Sequence, residues 1–225
     1  MARSWAVVIP SDSEDKLASC VASIIKAHVD IKPESIHVVT RKIDPVAVRT
    51  ELKPLTYVLD PNENFVFARR VNMGFRSAGD LDVVLIGDDA ELVTPGGFDL
   101  MQAEAPLRLV ACAVRGRVGP WWQREKQKFP VVPFVSFTCV YIPRMVYRMV
   151  GPIEEGFPGY GYEDTDYCLR VQQCGLSCGV CGDVVIEHGI SLTSEFQSIY
   201  KDDIVGMEAK ARKAFEKKWA GEDLD

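Results

Sequence analysis

Two adjacent carboxylates, Asp88 and Asp89, follow the apolar run Val83 to Ile86 in the stretch Asp82-Val-Val-Leu-Ile-Gly-Asp-Asp-Ala90. A Val/Ile-rich run of that length reads as a buried strand. Carboxylates at its end are costly unless something there needs them, and a cation is the usual reason. Mg2+ and Mn2+ suit such a place, because they take few protein ligands and leave positions for phosphate or water. Taken alone, two neighbouring Asp residues more often make an ordinary turn. A second acidic group, Glu163, Asp164 and Asp166, lies in Gly161-Tyr-Glu-Asp-Thr-Asp-Tyr-Cys-Leu-Arg170. There a carboxylate at a pocket edge can take a proton from an acceptor hydroxyl, although helix starts favour negative charge in any case. The third candidate is His188, one of three histidines. Imidazole ligates Mn2+-like metals beside carboxylate, while a lone His is commonly structural.

The elements that must position these groups follow from periodicity. Trp5 to Ile9 reads as a strand stopped by Pro10, and Ser11, Asp12 and Ser13 offer helix-cap chemistry. Leu17, Val21, Ile24 and Ile25 recur at helical spacing. Strands are expected at Ser35–Thr40, Thr56–Leu59 and Asp82–Ile86, with a helix over Phe65–Ala78 between the last two. This alternation predicts an α/β fold with a mostly parallel central sheet and flanking helices. The carboxyl ends of its strands are then where a ligand binds. In the second half, strands are expected at Arg108–Val114, Val131–Ile142 and Val184–Ile186. Helices are expected at Met145–Val150 and Glu163–Gln173, the latter capped by Gly175. A Gly-rich loop, Glu155–Tyr162, precedes the second of these, and a polar helical tail runs from Ser194 to Trp219. One domain is expected over 1–225: a nucleotide-binding half (1–100), an acceptor-side half (101–190) and a helical tail (191–225).

With these pieces in order, the chain resembles the inverting glycosyltransferases of family 2, which have the GT-A fold. Val7-Val-Ile-Pro-Ser11 resembles that family's opening strand, and Phe67-Ala-Arg-Arg-Val-Asn-Met-Gly74 its arginine/asparagine helix start. Leu85-Ile-Gly-Asp-Asp-Ala90 resembles its D-x-D-type metal motif. Val150-Gly-Pro-Ile-Glu-Glu-Gly-Phe157, running into Gly161–Arg170, resembles its acceptor-side glycine loop and E-D-x-D motif. His188 stands where many relatives place a metal-binding histidine.

The resemblance implies transfer of a sugar from a nucleotide-diphosphate donor, a UDP-sugar first, to an acceptor hydroxyl with inversion. It implies Asp164 as general base and Mn2+ or Mg2+ held by Asp89 and His188. Pro10, Ser11, Thr40, Arg69, Asn72 and Asp88 would face the donor. Trp121, Trp122, Gly161 and Glu163 would face the acceptor. Glu163 would orient hydroxyls, and Asp166 would hold the helix or pair with Arg170. The acceptor class stays open: a glycan, lipid carrier, protein, small molecule or modified DNA base. Two departures stand out. Thr40-Arg-Lys42 replaces the usual acidic residue after the second strand, and Gly87 replaces the first carboxylate of the metal motif.

Composition narrows the alternatives. The chain has 225 residues, 47% hydrophobic and 26% charged, with net charge −6. Nothing global suggests a nucleic-acid surface, and no apolar run approaches a membrane span. Seven scattered cysteines without an export signal suggest reduced thiols and a cytoplasmic setting. Cys174, Cys178 and Cys181, with Cys168 upstream, admit a structural zinc site, against the plainer reading of small buried hydrophobes. Arg115–Lys128 carries Trp121, Trp122 and five basic residues, which suits an acceptor loop, a mobile lid, or a solvated loop with one Trp in the core. The basic run Lys210, Arg212, Lys213, Lys217 and Lys218 reads as a solvated helix face. The competing classes are a nucleotidyltransferase making an activated sugar and a non-catalytic nucleotide-sugar binder. The first lacks its Gly-rich basic phosphate loop after Pro10, and the joint presence of Asp89, Asp164 and His188 argues against the second.

Overall fold

The computed structural model describes residues 4–62, 64–115, 119–124, 127–158, 161–188 and 204–220. Its first half pairs β1 (Trp5–Pro10), β2 (Ile36–Thr40), β3 (Thr56–Leu59) and β4 (Asp82–Ile86) in parallel, in the order β3-β2-β1-β4. Helices α1 (Glu14–Ala27) and α2 (Phe67–Ser77) connect these strands. Alternate β1 residues enter opposite cores. Trp5, Val7 and Ile9 pack with Leu17, Val21 and Ile24 of α1. Ala6 and Val8 pack with Val71 and Phe75 of α2. Burial on both faces is why β1 is apolar without a break.

The second half contains β5 (Ala90–Leu92), α3 (Gly97–Glu104), β6 (Arg108–Arg115), β7 (Phe129–Val132), β8 (Cys139–Ile142), α4 (Arg144–Val150), α5 (Glu163–Gln173), β9 (Ser177–His188) and α6 (Ile204–Trp219). All strands join one nine-stranded sheet, ordered β3-β2-β1-β4-β8-β6-β9-β5 with β7 beside β9. The expectation of a mostly parallel sheet holds for β1 to β4 only. Beyond β4 the sheet is mixed: β4–β8, β6–β8, β5–β9 and β7–β9 are antiparallel, and β6–β9 is parallel.

Three element boundaries are corrected. Val131–Ile142 is two strands rather than one, because Pro133 cannot donate to a ladder and the chain leaves the sheet between Val132 and Cys139. Val184–Ile186 is the end of a 12-residue strand, β9, whose glycines and cysteines dilute the strand signal. The helical tail is described from Ile204, and residues 194–203 lie outside the described residues. Gly175 has φ 72° just past α5, the left-handed conformation expected there.

The zinc alternative fails on geometry. Cys178 and Cys181 are three apart on β9, so they enter opposite cores. Cys174 is exposed, and among the described residues no group of three or more His, Cys, Asp or Glu converges to hold a metal. Among them, too, no helix is long and apolar enough to cross a membrane.

Candidate active site

The turn after β4 carries the first part of the site. Gly87 N donates to Thr138 O (2.9 Å) and Ala90 N returns to Gly87 O (3.2 Å). The chain then enters β5, which pairs antiparallel with β9 so that Ala90 stands opposite His188. That register brings Asp89 to the end of β9, with Asp89 Oδ1 3.2 Å from His188 Nε2. Burial raises the Asp89 pKa, but the His188 hydrogen bond and charge outweigh it and leave the carboxyl below its ordinary value. Two ligands at right angles on a small divalent cation, each about 2.1 Å away, stand about 3 Å apart. The Asp89–His188 pair fits that spacing, and a carboxylate with an imidazole suits a Mn2+-like ion. Among the described residues, His188 Nδ1 is buried with no hydrogen-bond partner.

Gly87 has a steric reason. A Cβ built there lies 2.9 Å from Asp89 Oδ1. Any side chain would displace the carboxylate from His188. The missing first carboxylate of the metal motif is therefore the condition for the pose of the second. Asp88 faces elsewhere: its Oδ2 accepts from Ser11 Oγ at 2.7 Å.

The second part of the site begins where Gly161 (φ 90°) and Tyr162 (φ 73°) swing the backbone into α5. A left-handed tyrosine costs roughly 1 kcal/mol or more, which the surrounding packing must offset. Asp164 Oδ1 accepts from Thr165 N (2.7 Å) and Thr165 Oγ1 (3.3 Å). Burial raises its pKa against these bonds and one from the Phe137 backbone. Glu163 is pushed up to about 7, by burial first and then by the neighbouring Asp164 charge. Among the described residues no Lys or Arg pairs with either carboxylate. The two parts of the site meet through consecutive residues: Phe137 bonds Asp164, and Thr138 bonds Gly87.

Several residues expected at the donor have partners within the chain. Pro10 is buried at the end of β1, opposite Val39. Ser11 is 1% exposed and orients Asp88. Thr40 is fully buried, donating to Asp12 Oδ1 (3.0 Å) and accepting from Lys42 N and Ile43 N. Asn72 is fully buried too. Its Nδ2 donates to Ile153 O and to Glu155 Oε1, both at 2.8 Å, and its Oδ1 accepts from Ile153 N at 2.9 Å. It fixes the loop before α5 and has nothing left for a donor. Arg69 is tied to Asp60 Oδ2 (3.0 Å) and to Asn64 O.

The Thr40 and Arg69 bonds belong to a buried network of acids and arginines. Arg70 bridges Asp12 Oδ2 (2.8 Å) and Asp60 Oδ2 (3.2 Å), with both carboxylates and the guanidinium almost fully enclosed. Burial raises both Asp pKa values. The bonds from Arg70, Arg41 N and Thr40 reverse this for Asp12. Those from Arg69, Asn62 and Arg70 bring Asp60 to about 2. The sequence signal was present: acids directly after β1 and β3, and an Arg pair in the first turn of α2.

The two tryptophans separate. Trp122 is half-buried, donates Nε1 to Phe134 O (2.7 Å) and packs edge-on against Phe134, so it belongs to the core. Trp121 is 57% exposed and stays available to a ligand. Asp166 does hold its helix: its carboxylate accepts from Arg170 Nε (2.9 Å) and Trp219 Nε1 (3.1 Å) and pairs with Lys218 Nζ (2.7 Å). Lys218 thereby leaves the solvated basic face expected of the tail, whereas Arg212 pairs along the helix with Glu216.

This strand order belongs to the GT-A glycosyltransferase fold, which solved structures share. GalNAc-T7 with UDP, GalNAc and Mn2+ superposes with TM-score 0.67 at 12% identity, over 94% of this chain and 50% of that one. TarS 1–349 of S. aureus with UDP-GlcNAc gives 0.68 at 14%, over 98% and 68%. The mannosyltransferase PcManGT of Pyrobaculum calidifontis with GDP-Man and Mn2+ gives 0.63 at 16%, over 100% and 77%. A 60-residue stretch, 27% of this chain, is 32% identical to human polypeptide N-acetylgalactosaminyltransferase 18, of which it covers 10%. The chain thus spans half of the GalNAc-T7 chain and a tenth of the human protein. No protein-family model matches.

Proposed function

We propose that the protein is an inverting glycosyltransferase that moves a sugar from a nucleotide-diphosphate donor to an acceptor hydroxyl. The observation that carries the reading is the Phe137–Thr138 link, which ties the Asp164 carboxylate to the turn bearing Asp89. Asp164 takes the acceptor proton as the acceptor oxygen bonds to the anomeric carbon and the bond from that carbon to the diphosphate breaks. Its raised pKa makes it a better proton acceptor than an ordinary carboxylate. Burial is what keeps that basicity high, and Glu163 offers a bond to acceptor or sugar hydroxyls. Asp89 and His188 hold a divalent cation, Mn2+ first, which when bound neutralises charge growing on the leaving diphosphate. Ser11 holds Asp88 toward the donor side, and Trp121 offers an aromatic face to the acceptor. The donor is a UDP- or GDP-sugar, in keeping with the ligands of the structures that share the fold.

The test is a thermal-shift series with UDP-GlcNAc, UDP-GalNAc and GDP-mannose, each with and without Mn2+. A donor that binds only the folded chain raises the melting temperature. A Mn2+-dependent rise with one donor, abolished in Asp89→Ala, is expected. No rise with any of the three sinks the reading.

A further inference from the structure

Helix α6 reaches the site at its acceptor side. Two of the three donors on the buried Asp166 carboxylate, Lys218 Nζ (2.7 Å) and Trp219 Nε1 (3.1 Å), come from the last turn of α6. Lys218 also pairs with Glu154 (3.3 Å) and lies over the Phe157 ring at 5.5 Å. Phe215, one helical turn before Trp219, presents its ring 5.1 Å from Tyr162 and 6.4 Å from Phe157. All these contacts fall on the loop before α5 or on the first turn of α5 itself. Tyr162 is the residue that turns the backbone at φ 73°, and Glu163 and Asp164 follow it directly. A helix that only shielded the sheet would pack on apolar residues. This one instead spends its Trp N–H, a Lys charge and a Phe ring on the turn that carries the carboxylates.

We propose that α6 is a positioning element of the transfer site: Phe215 and the Asp166 clamp hold Tyr162 and the first turn of α5, and so set where the Asp164 carboxylate stands. Phe215 and Asp166 are positioning residues, since both act through that turn. The proposal rests on Asp164 being the base. Acceptor-independent hydrolysis of the donor, in which water takes the acceptor's place, reads the base without knowledge of the acceptor.

The experiment compares wild type, Phe215→Ala, Phe215→Tyr, Asp166→Asn and Asp164→Asn with UDP-GlcNAc, UDP-GalNAc and GDP-mannose in the presence of Mn2+. It measures kcat and donor KM for hydrolysis and the hydrogen exchange of the amides of residues 163–167. A displaced base lowers kcat about tenfold or more while donor KM stays within about twofold, since the donor is held elsewhere. Phe215→Ala and Asp166→Asn are expected to show that split and faster exchange of the turn, and Phe215→Tyr, which keeps the ring, to restore both. The proposal is overturned if Phe215→Ala and Asp166→Asn keep kcat and exchange unchanged while Asp164→Asn abolishes hydrolysis. If Asp164→Asn leaves hydrolysis intact, or wild type hydrolyses none of the three donors, the base reading is what fails. Exchange then decides whether α6 orders the turn: faster exchange in Phe215→Ala supports that role, and unchanged exchange ends it.

Discussion

Asp60 and Glu163 are both acids at the carboxyl-terminal side of the sheet's connections, yet the protein moves them in opposite directions. Asp60, after β3, is enclosed with two guanidiniums and an amide and sits at about 2. Glu163, at the start of α5, is half-buried beside another carboxylate and is pushed up to about 7. The parallel half neutralises its acids with Arg69 and Arg70 and so converts them into structure. Among the described residues the mixed half sets no such cation against Glu163 and Asp164, and burial leaves both pKa values raised. Asp166, only two residues beyond Asp164, again meets cations and reverts to structure. Proximity to the site does not separate the two kinds of carboxylate; the presence of a guanidinium or ammonium does.

The largest effect should come from the mixed half. Asp164→Asn is expected to lower kcat for transfer and for donor hydrolysis by roughly 10² to 10⁴ with donor affinity unchanged; full activity in steady-state assays would remove Asp164 as base. Next, Asp89→Ala or His188→Ala should weaken Mn2+ binding by about a hundredfold, seen as loss of the Mn2+-dependent melting shift, and EDTA should do the same to wild type. On the neutralised side, Arg70→Met strands Asp12 and Asp60 in the interior. A loss of about 3–5 kcal/mol is expected in urea titrations, and a loss under 1 kcal/mol would deny that network its structural role.

The smallest effects lie in pH. The Asp60 pKa is depressed on folding, so its stabilisation is complete above the unfolded value of about 3.9 and is lost as pH falls through about 2. The Glu163 pKa is raised, so the folded chain holds more protons than the unfolded chain between the ordinary value of 4.5 and about 7. Stability therefore falls as pH rises through that window. Glu163→Gln should flatten this slope, and an unchanged slope in urea titrations over that window would remove Glu163 as its source.

The parallel half was legible because burial on both faces makes each strand a continuous apolar run, as in Val83–Ile86. α5 was legible to its ends, bounded by a Gly-rich loop and Gly175. β5 and α3 were passed over, since Ala90–Leu92 is three residues long and α3 is an eight-residue helix without a strong cap. β9 was underestimated because Cys178, Gly179, Cys181 and Gly182 blur its alternation. Among candidate residues, Asp89, His188, Asp164 and Asp166 could be picked out from type and context. Thr40 and Asn72 could not be sorted, because a polar residue near a strand end looks the same whether its partner is a ligand or the backbone of a loop far along the chain. The roles of Ser11, Gly87, Phe137 and the Phe215 helix depend on contacts between distant segments, which no local pattern encodes.

Asn72 has a consequence for how such a chain can be recombined. Its amide, on a helix of the first half, is completed by Tyr147, Ile153 and Glu155 of the second. The two halves are therefore not interchangeable modules. A chimera that joins this chain's first hundred residues to another enzyme's second half inherits a buried amide without its matching loop, whereas one that transplants residues 147–155 along with α2 carries the joint intact.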